Sequence, residues 1–255
     1  MGPAARIPRG TEGTACADFR ARAASAMLPI PAVRPSRFQR PQAVLFDLDG
    51  TLVDSAADIA AAMNHALIRM GRPPRPVDEI RSFVGDGARA LVARTLDLPI
   101  DDQRVDAPLE DFRSYYSAHP ADGTTVLRSV PALLRALDGV PKAVVTNKPR
   151  ALAELVLAGT GLAPSFTIVR GGGDAPLKPR PDLLLSALDA LGVGARAAWM
   201  IGDGAQDIEA GRAAGCVTIL VAGGLGDAER ARASGPDAVV ESLAEVIEWI
   251  AQPGP

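Results

Sequence analysis

Four short polar clusters interrupt a chain rich in apolar runs, and their residue types could do chemistry. In "AVLFDLDGTLVD" (43–54), Asp47 and Asp49 stand one leucine apart, with Gly50 and Thr51 just behind them. "VVTNKP" ends an apolar run in Thr146 and Asn147, and "LKPRPD" places Lys178 ahead of two prolines. "WMIGDGAQDIEAG" carries Asp203 and, four residues on, Asp207. Carboxylates this crowded repel one another, and each would be better hydrated alone. A divalent cation removes the repulsion. Oxygen ligands without histidine or cysteine point to a hard ion, most readily Mg²⁺.

Singly, each cluster has an ordinary structural reading. A D-x-D-G turn can simply bend a chain, Thr-Asn can cap a helix, and Asp207 can favour a helix N-terminus. A lone lysine is usually solvated, although this chain has only three, Lys142, Lys148 and Lys178. The combination is more specific than its parts, provided the fold brings the clusters together.

The elements around them suggest that it does. "AVLF" at 43–46, "KAVVT" at 142–146, "FTIV" at 166–169, "AAWMI" at 197–201, "CVTILV" at 216–221 and "DAVV" at 237–240 read as short strands, apolar on both faces. Such strands belong to a parallel sheet covered by helices. Helical spacing is expected over 131–138, 150–159, 181–191, 206–214 and 242–251. In the third of these, Leu184, Leu188 and Leu191 share a stripe between Pro181 and Gly192. The fold class is therefore α/β, a doubly wound parallel sheet, with every polar cluster at the carboxyl end of a strand or in the loop after it. Within the first cluster, strand alternation lets Asp47 and Asp49 face one side while Leu48 points away.

The interval 56–125 breaks the rhythm. It offers no convincing strand, and Ile59, Met63, Leu67 and Met70 fall on one helical face. An inserted α-helical cap domain over 56–125 follows, with the α/β catalytic core made of 41–55 and 126–255. The first 40 residues carry seven arginines and scattered Pro, Gly and Ala. They read as a disordered extension, or as an over-called start with Met27 the initiator, outside the fold.

Composition sets outer bounds. The 255 residues are 47% hydrophobic and 22% charged, an ordinary globular balance. A net charge of −3 gives no bulk attraction to nucleic acid, and no run reaches the roughly 18 apolar residues of a membrane span. The two cysteines, Cys16 and Cys216, match no metal-ligand spacing and no disulfide framework. They leave a reducing cytoplasm as the expected compartment.

With "FDLDGTLVDS", "VVTNKP", "LKPRPD" and "GDGAQD" in this order and spacing, the chain over about 41–250 resembles the haloacid dehalogenase superfamily of aspartate-nucleophile phosphatases. The resemblance implies a Rossmann-like core and Mg²⁺ as cofactor. It makes Asp47 the nucleophile and a metal ligand, and Asp49 the general acid/base, kept protonated in the acidic cluster and giving its main-chain carbonyl to the metal. Thr146, Asn147 and Lys178 would hold the phosphoryl group, Asp203 would ligate Mg²⁺, and Asp207 would support the metal from behind.

The position of the insertion and "RSFVGDGARALVARTL" at 81–96 resemble the phosphoglycolate phosphatase group. That implies a small phosphorylated metabolite as partner, 2-phosphoglycolate first, with pyrophosphate or a sugar phosphate as the alternative. Gly85, Asp86 and Gly87 would dip toward the site, and Arg89 or Arg81 would take a substrate carboxylate. A dehalogenase needs no counterpart of Asp49. A phosphonatase needs a cap lysine, and none lies between Asp49 and Lys142. A β-phosphoglucomutase is harder to separate, because it keeps both carboxylates. A phospho-accepting receiver module would be half this length and lidless. The expected assembly is a monomer or a homodimer.

Overall fold

The computed structural model describes residues 1–2 and 39–251. Residues 39–251 all belong to one compact unit. The expectations for the first 40 residues, Met27 included, fall almost wholly outside the described residues.

In chain order the elements are β1 (Ala43–Phe46), β2 (Val53–Asp54), the helices α1 (Ala56–Arg69), α2 (Val77–Arg81), α3 (Ala88–Leu96) and α4 (Asp106–Ala118), and then β3 (Thr125–Val126). From there helix and strand alternate. First come α5 (Val130–Ala136), β4 (Lys142–Pro149), α6 (Arg150–Gly159), β5 (Ile168–Gly172) and α7 (Asp182–Leu191). They are followed by β6 (Ala198–Gly202), α8 (Ala205–Ala214), β7 (Val217–Val221), α9 (Ala228–Ala233), β8 (Ala238–Val240) and α10 (Leu243–Ala251).

Six strands form one parallel sheet in the order β5-β4-β1-β6-β7-β8. The fold is the expected doubly wound α/β type. All four residues of β1 are buried. Ala43 and Leu45 face α7 and α8 in a core with Leu184, Leu188 and Met200, while Phe46 meets Phe166 edge-on at 6.1 Å. The leucine stripe of α7 packs as its spacing requires, with Leu191 at its rim. Gly192 ends that helix in the left-handed conformation, φ 66°. The chain leaves β1 to build β4 and β5 on one side and returns to build β6, β7 and β8 on the other. The carboxyl end of β1 is therefore the switch point where sheets of this kind open a crevice.

The four helices α1–α4 are bracketed by β2 and β3, which pair antiparallel with Val53 opposite Val126. This two-stranded ribbon escaped the sequence reading, because two residues per strand carry no periodicity. A second tie is Asp58, buried in the first turn of α1. It accepts hydrogen bonds from the Gly123 and Thr124 amides and, at 2.6 Å, from the Thr124 hydroxyl. Exit and return of the inserted segment are thus stapled side by side. On α1, Ile59, Met63 and Leu67 are buried as expected, but Met70 is exposed. It sits at the C-cap, one step past the last turn that α1 presents to its neighbours.

Candidate active site

Each polar cluster sits where β1, β4 or β6 ends, or in the loop after β5. Asp47 continues β1 by one residue, its amide donating to the Ile201 carbonyl at 2.9 Å. Leu48 is fully buried on the opposite side. Gly50 then turns with φ 89°, and a Cβ there would collide with the Asp203 carboxylate and crowd the Leu225 amide. Glycine is needed here both for the backbone angle and for the space.

Lys178 lies at the centre, 3% exposed. Its ammonium donates to Asp47 Oδ1 at 2.8 Å, Asp207 Oδ1 at 2.6 Å and the Val145 carbonyl at 2.7 Å, so all three of its N–H donors are used. Burial works against its charge, but Asp207 and Asp47 outweigh burial and raise its pKa above the ordinary lysine value. Asp207 receives the Gly204 amide on its other oxygen at 2.9 Å. Asp203 accepts from the Thr51 hydroxyl at 3.1 Å and from the Leu225 and Gly226 amides at 2.7 and 2.9 Å.

One carboxylate oxygen from each of Asp47, Asp203 and Asp207 lies within 4.8 Å of the others. This donor set, all oxygen and all carboxylate, fits a hard divalent cation. Burial pushes the Asp47 carboxyl up to about 7 against the pull of Lys178, with Asp207 and Asp203 adding to the rise. Asp203 is pushed up to about 6, by burial first and then by Asp207, against its two amide hydrogen bonds. The crowding inferred from the sequence is real: the cluster resists carrying all its negative charge unaided.

Asp49 stands elsewhere. It was expected in the acidic cluster, yet its neighbours are the Ser55 hydroxyl at 2.5 Å and the ammonium of Lys148, 2.9 Å from both carboxylate oxygens. Leu48 separates it from Asp47, and its ion pair is with Lys148 at the end of β4, not with Lys178. Lys148 is buried and lies 4.5 Å over the ring of Tyr116 from α4.

The remaining expected residues divide. Thr146 is buried and lines the same cavity as Asp47 and Asp49. Asn147 lines it too, but its amide is spoken for. It accepts from the Lys178 amide at 2.8 Å and donates to the carbonyls of Lys178 and Gly85, each at 2.9 Å. Its side chain therefore anchors the Lys178 loop and the 85–87 loop, and has no N–H left for a phosphoryl oxygen.

Gly85 and Gly87 line the cavity, with φ of 130° and 91°. Asp86 does not; it pairs with Arg94 on the outer surface. Arg89 is also turned away. Its guanidinium donates to the Ile100 carbonyl at 2.6 Å and Asp106 Oδ1 at 2.6 Å, because α3 presents that face to the α4 entry. Residues that the sequence reading passed over are Lys148, Tyr116 and Gln206, all on the cavity wall. Lys148 did leave a signal: it shares the strand face of Thr146, two positions earlier. Tyr116 lies in "SYYSAH" at 114–119, a segment that also resembles the phosphoglycolate phosphatase group, but nothing in it marks a site residue, and Gln206 left no signal.

Residues 41–215 match the family model of haloacid dehalogenase-like hydrolases. The chain belongs to that family. It is 38% identical over 218 residues to the phosphoglycolate phosphatase of Neisseria meningitidis, covering 81% of this chain and 92% of the relative. The protein of that name from Chromobacterium violaceum is 40% identical over 219 residues, covering 81% of this chain and 95% of the relative. Among solved structures, a predicted phosphoglycolate phosphatase from Haemophilus somnus superposes with a TM-score of 0.75 at 26% identity, over 84% of this chain and 100% of that one. This family member is thus a hydrolase of the phosphoglycolate phosphatase-like group. Among its described residues no helix is long and apolar enough to cross a membrane.

Proposed function

We propose that the protein is a Mg²⁺-dependent phosphatase that hydrolyses 2-phosphoglycolate through an aspartyl-phosphate on Asp47. The observation that carries the reading is the buried junction of Asp47, Lys178, Asp203 and Asp207 at the switch point of the sheet. The names of the curated relatives support the substrate.

Phosphate monoesters hydrolyse so slowly that catalysis must supply accelerations reaching about 10²¹-fold in the extreme. Covalent catalysis divides that barrier in two. Asp47 attacks phosphorus in line, and the ester oxygen leaves. Lys178, fixed by Asp207 and Val145, keeps Asp47 oriented and offsets negative charge on the transferring group. Asp47, Asp203 and the main-chain carbonyl of Asp49 would hold Mg²⁺, whose contribution when bound is to neutralise the phosphoryl oxygens and the crowded carboxylates. Asp207, both oxygens already held by N–H donors, orients Lys178 and the Gly204 turn behind the metal site.

Asp49 handles the proton: it gives one to the leaving oxygen in the first step and takes one from the attacking water in the second, so each turnover balances. The helices α1–α4 form the cap over 56–125, and the core is 41–55 with 126–255. Through Asn147, the 85–87 loop is tied to the same residue that orders Lys178. The enzyme would work in the cytoplasm on a free metabolite.

The test is a panel of small phosphomonoesters assayed with Mg²⁺, in which 2-phosphoglycolate is expected to give the highest kcat/KM. Sugar phosphates or pyrophosphate in first place would remove the substrate and leave the mechanism standing.

A further inference from the structure

The cavity above Asp47 is walled largely by apolar side chains, among them Ile59, Val84, Leu91, Phe112 and Leu152. Two neighbouring polar groups on that wall take no direct part in phosphoryl transfer. One is the Lys148 ammonium. Asp49 takes at most two of its three N–H donors, which leaves at least one. Lys148 is buried and stands in a salt bridge 2.9 Å from both oxygens of Asp49.

The other is the Tyr116 hydroxyl. Tyr116 is 1% exposed, and its hydroxyl is a buried polar atom without a hydrogen-bond partner of acceptable geometry, although the ammonium lies beside it. Burial pushes the phenol up to about 12, so it remains a neutral O–H donor. A buried hydroxyl left unmet is disfavoured unless a ligand meets it. A cation with a spare donor and an orphaned hydroxyl, side by side on a cavity wall, are the two halves of an anion receptor.

We propose that Lys148 of the core and Tyr116 of α4 together receive a carboxylate carried on the leaving group of the substrate. The inference rests on the phosphatase reading and adds which side chains of this chain would meet the carboxylate of that substrate. Lys148 touches Asp49, the group that meets the leaving oxygen. An anion held by Lys148 must therefore lie within a few bonds of that oxygen, as a carboxylate one carbon away does. The cations expected from the sequence to do this work, Arg89 and Arg81, are not on the cavity wall. Because Tyr116 comes from the inserted helices and Lys148 from the core, one carboxylate would bind both parts of the molecule together.

The experiment compares 2-phosphoglycolate with ethyl phosphate, which has a methyl group in place of the carboxylate, in the full chain and in Lys148→Met and Tyr116→Phe. p-Nitrophenyl phosphate serves as a third substrate, and glycolate as an inhibitor of its hydrolysis. Losing a hydrogen bond to a charged group should lower the preference for 2-phosphoglycolate over ethyl phosphate by about 10- to 100-fold in Lys148→Met, mainly through KM. Tyr116→Phe should lower it by about 3- to 10-fold with little change in Tm. Inhibition by glycolate should weaken in both.

If both substrates fall by one common factor in Lys148→Met, Lys148 serves Asp49 alone and the receptor is refuted. Preference intact in Tyr116→Phe also overturns it. If the unmodified protein hydrolyses p-nitrophenyl phosphate but ignores glycolate, the phosphatase survives and the receptor does not. If it hydrolyses none of the three, the phosphatase reading itself has failed.

Discussion

Two buried lysines face carboxylates in this site, and they are satisfied to different degrees. Lys178 spends all three N–H donors on Asp47, Asp207 and the Val145 carbonyl, deep in the sheet edge. Lys148 leans on Asp49 and the face of Tyr116 and keeps donor capacity beside an unpaired hydroxyl. A group that must orient a nucleophile gains from complete satisfaction, because every unused donor is a route to misorientation. A group that must recognise something has to leave capacity open. The reacting end of the cavity is closed by protein, and the recognising end is left for a ligand to close.

Removing each lysine should break the symmetry between them. Lys178→Met is expected to lower kcat by about 10²–10³-fold for every phosphomonoester alike, the usual scale for losing one preorganised charge donor. It also strands Asp47 and Asp207, so stability should fall by about 3–5 kcal/mol in denaturant titration. Lys148→Met should instead discriminate between substrates. Equal, substrate-blind losses in the two variants would erase the distinction.

A smaller effect concerns the acidic side of the comparison. Asp47 and Asp203 are raised to about 7 and about 6 in the folded protein, from an ordinary value of 3.8. Their contribution to stability is therefore full below about pH 4 and is lost as pH rises through 6 to 7. Mg²⁺ must displace those protons at low pH and meets none at high pH. At saturating Mg²⁺, Tm should rise by about 5–10 °C at pH 8, from roughly 2.7 kcal/mol of binding linkage, and by much less at pH 5.5. The same rise at both pH values would show that the metal binds somewhere other than this cluster.

The fold and the reacting end were legible because local rules and global placement agree there. Apolar runs such as "AVLF" become strands buried on both faces, and the polar residues that end them must gather at one sheet edge. The recognising end was not legible, because nothing local encodes it. Tyr116 is one aromatic on an amphipathic helix, and only its position against β4 leaves its hydroxyl unmet. Asn147 read as a phosphate ligand because its neighbour Thr146 looked like one. In three dimensions its amide ties together two loops from positions 85 and 178. Arg89 was attractive only for its charge, which a nearby aspartate and carbonyl absorb.

The most direct test is to quench the enzyme during turnover of 2-phosphoglycolate and map the acid-stable fragments by mass spectrometry. A phosphoryl adduct of about 80 Da should appear on the peptide containing Asp47, by the covalent route, and vanish in Asp47→Asn together with turnover. Full activity in Asp47→Asn, or an adduct on any other residue, would contradict the account.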